Sequence, residues 1–385
     1  MDYIFSWYLW MFPLFGIFAC MLVSQKNKYV LENCPVKSAL NYDMSDNYRV
    51  GLLFSFIVFL PMLLIAANRA VYSGGFGDTM LYVLMYNGYP ESVGELSNFL
   101  TWEEKDTGFI IFSTIVKQIF GVDYQPWLFI IAFISVICLV ITYRRYTSEI
   151  VLCAFLFFVS TDFHSWMMNG MRQFLVTAIL FALFPVLKKR NAKGYLTFII
   201  ATIVLYTFHS SCLVVLPMYY VAFGKAFNKK TISLFLAFFL AIVFLDQFTN
   251  LLDKSLESTH YSDVTTQMET DDGTSPLRVL MYSIPTILAF VYRKKLNENT
   301  PEIINISINM STISTGLYVL AMVTSGIYIG RLPIYFSLFN YILLPWEIKN
   351  FIKKESRNLI YGLLFLAYII FFFYQMYTWN FGYIL

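Results

Sequence analysis

Four arginines stand at the ends of apolar runs: Arg69, Arg172, Arg278 and Arg331. A guanidinium is a planar fork that stays charged and grips phosphate through two parallel hydrogen bonds. Several of them converging at headgroup level would suit a lipid-linked phosphate or pyrophosphate. The competing reading of each is a snorkelling side chain, or a partner for an acid such as Asp78. His209 lies between apolar runs, flanked by Tyr206, Phe208 and Ser210. An imidazole titrating near neutrality serves as a general base, and a histidine satisfied by helix packing fits the same position. His164, close to Trp166, reads as an interfacial anchor, and His260 reads as incidental to a polar stretch.

The other chemistries that short motifs announce are missing. The sequence holds no GxxxxGK[ST] loop, no HExxH, no GxSxG and no close His/Cys/Asp set with metal-ligand spacing. The expectation is chemistry without a metal or a cofactor. Of the five cysteines, Cys20, Cys138, Cys153 and Cys212 lie in apolar runs and Cys34 in a basic loop, without CxxC spacing. A net charge of +3 gives no reason to expect nucleic acid.

The elements that must position these residues are membrane helices. The chain is 58% hydrophobic and 13% charged, against about 25% charged in a soluble domain. A span needs roughly 20 apolar residues, and the run Tyr3–Val23 carries no charge. No Lys or Arg precedes that run, so it reads as a retained helix and not as a signal peptide. Twelve spans are expected, near 3–23, 50–68, 126–143, 149–166, 170–187, 194–209, 211–224, 231–248, 278–292, 307–329, 332–348 and 358–377, with a kink possible at His209-Ser210-Ser211. Of 27 Lys and Arg residues, 20 then fall in six short loops on one side. The positive-inside rule makes that side cytoplasmic and puts both termini outside. The seven remaining cations, Lys105, Lys117 and Lys254 among them, face out.

Gly108–Phe120 resists this threading, because counting it as a span would invert every later loop. It is expected to be a half-helix in or re-entering the outer leaflet, tolerated where protein or water covers its ends. The reading is therefore an all-α polytopic protein forming a single membrane domain, 1–385. An outer loop, 69–125, carries the half-helix; a second, 249–277, is acidic and either a solvated loop or a lid.

Several ordered motifs resemble the EpsG family. Asp78 with Tyr82 resembles its D-x-x-x-Y element, and Asp106-Thr107-Gly108-Phe109 its acidic-x-Gly-aromatic element, with Thr107 where Pro is common. Asn169-Gly170-Met171-Arg172-Gln173 is similar to its Arg-Gln helix, Phe208-His209-Ser210-Ser211 to its F-H-x-S element, and Gly330-Arg331 through Tyr335-Phe336 to its late Arg…Tyr-Phe helix. The resemblance covers about 50–350. It implies a GT-C-like, Wzy-type polymerase that joins oligosaccharide units carried on undecaprenyl pyrophosphate, at the outer face of the bacterial inner membrane. The implied partners are that lipid-linked oligosaccharide, the bilayer and a chain-length regulator protein.

Under that resemblance the lipid pyrophosphate is the leaving group and needs charge stabilisation more than a strong acid, a role for Arg172 and Arg331 with Arg69 or Arg278. His209 is the first candidate base. Asp78 or Asp106 is the second, or orients an arginine or a sugar hydroxyl. Tyr82, Gln173 and Tyr335 would position sugar or phosphate. A ligase-like transferase shares such a groove. A flippase predicts cations along the middle of the membrane, and an acyltransferase predicts a cytoplasmic-side histidine.

Overall fold

The computed structural model describes residues 14–22, 31–33, 48–71, 77–100, 105–160, 162–256 and 273–378. Expectations attached to Cys34, Lys26, Lys28, Lys37, His260 and the acidic stretch 257–272 lie outside the described residues. The described chain is helical apart from a two-stranded antiparallel ribbon, Leu31–Asn33 with Tyr48–Val50, registered Leu31 to Val50. Tyr124–Tyr146, Met171–Lys188, Glu302–Val323 and Lys354–Thr378 are each long and apolar enough to cross a bilayer. Ile150–Val159 and Phe163–Asn169, bent by 80°, make a fifth if counted as one span, and five shorter apolar helices accompany them. The composition and these helices make the chain a helical membrane protein.

Several expected runs are broken. The run 307–329 stays helical only to Val323. A Cβ on Gly326 would come within 2.8 Å of the Gly273 carbonyl oxygen, and one on Gly330 within 2.7 Å of Thr274 Oγ1, so the chain turns there at close backbone approach. The run 332–348 becomes a short turn, Ile334–Ser337, followed by Asn340–Phe351. The run 231–248 becomes Lys229–Val243 and an amphipathic helix, Leu245–Leu256, whose last turns enter the segment expected as loop.

The chain divides into two compact units, one of residues Met1–Leu213 with Leu359–Leu385, the other of Val214–Asn358. In the first, the helices that frame the site are α1 (Leu52–Ala67), α2 (Thr79–Gly88), α3 (Thr107–Phe120), α4 (Tyr124–Tyr146), α5 (Ile150–Val159), α6 (Met171–Lys188) and α7 (Ala192–Tyr206). Helix α4 packs against both α1 and α6. All ten residues of α5 are buried, which suits a helix that is apolar all round. Its Phe155 stacks on Phe365 with ring centroids 4.2 Å apart.

Helix α3 is 14 residues long, about 21 Å at 1.5 Å per residue, short of a hydrocarbon core of about 30 Å. Phe109, Ile110, Ser113, Val116 and Lys117 are buried on one face. Ile111, Ile115 and Ile119, one turn apart, are exposed on the other, the face an interfacial helix gives to acyl chains. Ser113 accepts a 3.0 Å hydrogen bond from the Trp127 indole, tying α3 to α4.

The second unit is built on α8 (Val215–Ala222), α9 (Lys229–Val243), α10 (Leu245–Leu256), α11 (Pro276–Val291), α12 (Glu302–Val323) and α13 (Asn340–Phe351). Helix α12 is its axis, packed by α9, α11 and α13. Buried Asn309 stitches the α8–α9 turn to it, accepting from the Phe227 amide at 2.8 Å and donating to the Ala222 and Lys225 carbonyls.

Candidate functional site

Three motifs distant in sequence meet in the first unit. Gly108 opens α3, and its amide donates to the Thr207 carbonyl at 2.9 Å, docking the helix onto the turn that follows α7. A Cβ at Gly108 would lie 2.0 Å from Thr207 Oγ1 and 2.9 Å from the Phe208 ring, so only glycine permits this approach. Phe109 and Phe112 close the joint against Phe208, with ring centroids 6.3 and 6.0 Å away. Asp106 sits before the helix at φ 58°, a left-handed conformation that Asp tolerates better than most residues.

That backbone turn aims the Asp106 carboxylate at Arg172. Arg172 Nη1 donates to Asp106 Oδ2 in a short charge-assisted contact. The guanidinium also lies over the Tyr82 ring, 5.4 Å from its centroid, and over Phe109 at 5.7 Å. Its Nε is buried and has no hydrogen-bond partner among the described residues. A buried, charged donor without a partner is costly, and an anion completing the guanidinium would remove that cost. Burial raises the Asp106 carboxyl above its ordinary value, outweighing the lowering by Arg172 and Lys105.

One residue along α6, Gln173 is buried and its Nε2 donates to Ser211 Oγ at 3.4 Å. Ser211 Oγ is in turn 2.8 Å from His209 Nδ1. The chain Gln173–Ser211–His209 fixes the imidazole. In the tautomer where Nδ1–H donates to Ser211, Nε2 carries the lone pair a base needs. His209 is partly exposed and follows the end of α7, where its amide donates to Leu205 at 3.1 Å.

Asp78 precedes α2, and its amide donates to Asn169 Oδ1 at 2.6 Å. Gly77 adopts φ +50°, and a Cβ there would meet that same Asn169 oxygen at 2.2 Å. Asn169 thus moors the start of α2 beside the start of α6. Asn169 and Ser211 stand inside motifs without a role that residue type alone assigns; the signal for them is a polar side chain beside Gly170 and one two residues after His209.

Arg69 is placed differently from Arg172. It is 3% exposed, and its donors go to Thr79 Oγ1 at 2.9 Å, the Ala66 carbonyl at 2.6 Å and Met171 Sδ at 3.1 Å. It fastens α1, α2 and α6 together. Burial lowers its pKa to about 10, which leaves it charged at neutral pH. Lys117, 4% exposed, donates to the carbonyls of Tyr86, Asn87 and Tyr89, capping the C-terminus of α2 as a cation does. His164, expected as an interfacial anchor, is instead fully buried among Phe158, Phe163 and Phe372.

Arg278, Arg331 and Tyr335 belong to the second unit. Arg278 lies in the first turn of α11 over the rings of Tyr282 and Tyr318, 5.7 and 5.8 Å from their centroids. Arg331, partly exposed, ends the turn Ile329–Arg331. Tyr335 is 2% exposed, packed in the core of that unit, where its carbonyl accepts from the Tyr219 hydroxyl at 3.4 Å. Among the described residues, no three His, Cys, Asp or Glu side chains gather to hold a metal ion.

A family model described as the EpsG family matches residues 52–384. No curated protein and no solved structure matches the chain.

Proposed function

The chain belongs to the EpsG family, a family of Wzy-like polysaccharide polymerases, and from that premise we propose that it polymerises oligosaccharide units carried on undecaprenyl pyrophosphate at the outer face of the bacterial inner membrane. The proposal includes about twelve spans in a GT-C-like arrangement, with both termini outside. A hydroxyl of the incoming unit attacks the anomeric carbon of the growing chain. The new C–O bond forms as the bond to the lipid pyrophosphate breaks, the electron pair leaves with the pyrophosphate, and the hydroxyl proton passes to a base.

The observation that carries this reading is the Arg172 guanidinium. Asp106 holds one of its nitrogens, two aromatic rings flank it, and its buried Nε has no partner among the described residues. That is a preorganised donor for charge developing on a leaving phosphate. Arg278 and Arg331, in the second unit, are candidates for phosphate contacts of their own. His209, oriented by Ser211 and Gln173, is the candidate base, and Asp78 is the alternative. Tyr82 is suited to a sugar or phosphate next to Arg172.

The test is purified protein with one defined lipid-pyrophosphate oligosaccharide and no added metal or nucleotide. A ladder of products is expected. A single transfer to an unrelated acceptor would instead identify a ligase-like transferase, and no covalent product would refute both.

A further inference from the structure

An open cavity of 540 Å³ lies at the far end of α2 from Arg172, lined by residues of the α2 C-terminus, the segment after it and α3. Its volume falls within the range of ligand sites, roughly 300–1,000 Å³. Tyr89 and Phe99 pack edge to face there, with ring centroids 6.2 Å apart, and Tyr89 is buried. Exposed Asn87, Glu91, Glu95 and Asn98 form the polar rim.

The framework of the cavity is anchored. Lys117 spends hydrogen bonds on three backbone carbonyls, and Gln118 of α3 accepts from the Val93 amide at 3.0 Å. Ser92 donates to Glu95 at 3.0 Å, holding that carboxylate in place.

The rim chemistry selects its ligand. Two carboxylates repel phosphate, and the one lysine already faces carbonyls. Carboxylates accept from hydroxyls, side-chain amides both donate and accept, and aromatic rings offer apolar faces. A ligand rich in hydroxyls, uncharged and with an apolar face satisfies all three, which describes a sugar ring.

We propose that the cavity bounded by Asn87, Tyr89, Glu91, Glu95, Asn98 and Phe99 is a subsite for a neutral sugar of the growing glycan, separate from the anion site at Arg172. Helix α2 has ten residues, so the subsite lies about 15 Å along its axis from Asp78. A sugar held there keeps the polymer on the protein between additions. This rests on the polymerase reading above.

The experiment compares wild type with the double variant Glu95→Gln, Asn98→Ala. Both residues are exposed and neither touches the Arg172 site. With the defined lipid-linked unit of the producing strain, the variant is expected to form the first junction within about twofold of the wild-type rate. Its mean product length should fall at least threefold. A second measurement titrates the lipid-free dimer of that unit by calorimetry, where the variant should lose at least tenfold in affinity. Unchanged length with unchanged dimer affinity overturns the subsite, and so does loss of the first junction in parallel with length. If the wild type makes no polymer yet binds the dimer through these residues, the polymerase reading fails and the sugar subsite stands.

Discussion

Arg172 and Asp106 are 66 residues apart in sequence and joined by a short ion pair within the first unit. The contact unites the Arg-Gln helix with the acidic turn that opens α3. The buried Nε has no partner among the described residues, so the carboxylate orients the arginine without using every donor.

Removing the guanidinium should remove turnover. Arg172→Ala is expected to lower the polymerisation rate by about 10²–10³, the usual cost of a donor that stabilises developing charge. Arg172→Lys should recover little, because an ammonium cannot keep Asp106, both ring faces and an anion together. Arg331→Ala should also abolish long polymer while leaving the single units. A product ladder on gels, normalised to protein level, reads all three; full-length polymer from Arg172→Ala and Arg331→Ala alike would sink the pyrophosphate role.

Acid should weaken the same site. Burial raises the Asp106 carboxyl, so the proton returns at a higher pH than for an exposed aspartate. As pH falls through that raised value, Asp106 becomes neutral and releases Arg172. Activity should decline there, at a higher pH than an exposed aspartate would give. Asp106→Asn should show a lower plateau without that acid limb, so an identical limb in both proteins would assign it to another group.

The histidine relay predicts graded losses. His209→Ala should cost about 10²–10⁴ in turnover with little loss of lipid binding. Ser211→Ala should cost less, since it misorients the imidazole without deleting it. A lipid-binding assay run beside single-turnover kinetics separates the effects, and normal turnover in His209→Ala excludes it as the base.

Two residues of the frame should behave otherwise. Gly108→Ala forces a Cβ onto Thr207 and Phe208 and is expected to destabilise by about 1–3 kcal/mol. Arg69→Ala leaves Thr79 and the Ala66 carbonyl without their buried donor, costing on the order of 3 kcal/mol. Thermal unfolding in detergent measures both. An Arg69→Ala protein that melts like wild type yet is inactive would return Arg69 to the substrate.

The helical membrane class and the family were legible in the sequence because hydropathy and ordered motifs are local signals. Asp106, Arg172 and the Phe208–Ser211 turn, singled out by residue type and motif, are brought together within one unit. What residue type alone hides is where donors are spent. Arg69 and Arg172 look alike in sequence, yet one is consumed by a carbonyl, a hydroxyl and a thioether while the other keeps a buried Nε without a partner among the described residues. Lys117 reads as an outward cation and proves to be a helix cap. Tyr335 sits in a motif but is packed away from solvent. The broken run after Val323 follows from tertiary close approach at Gly326 and Gly330, which periodicity does not register.

Helix α2 begins at the Asn169 mooring and ends on the Lys117 cap. It therefore works as a ruler, holding Tyr82 over the arginine and Tyr89 in the cavity at a set separation and a set rotation. Inserting one residue between them would turn Tyr89 by about 100° and advance it by about 1.5 Å. Every residue at either end would be kept, and the phase between them would be lost.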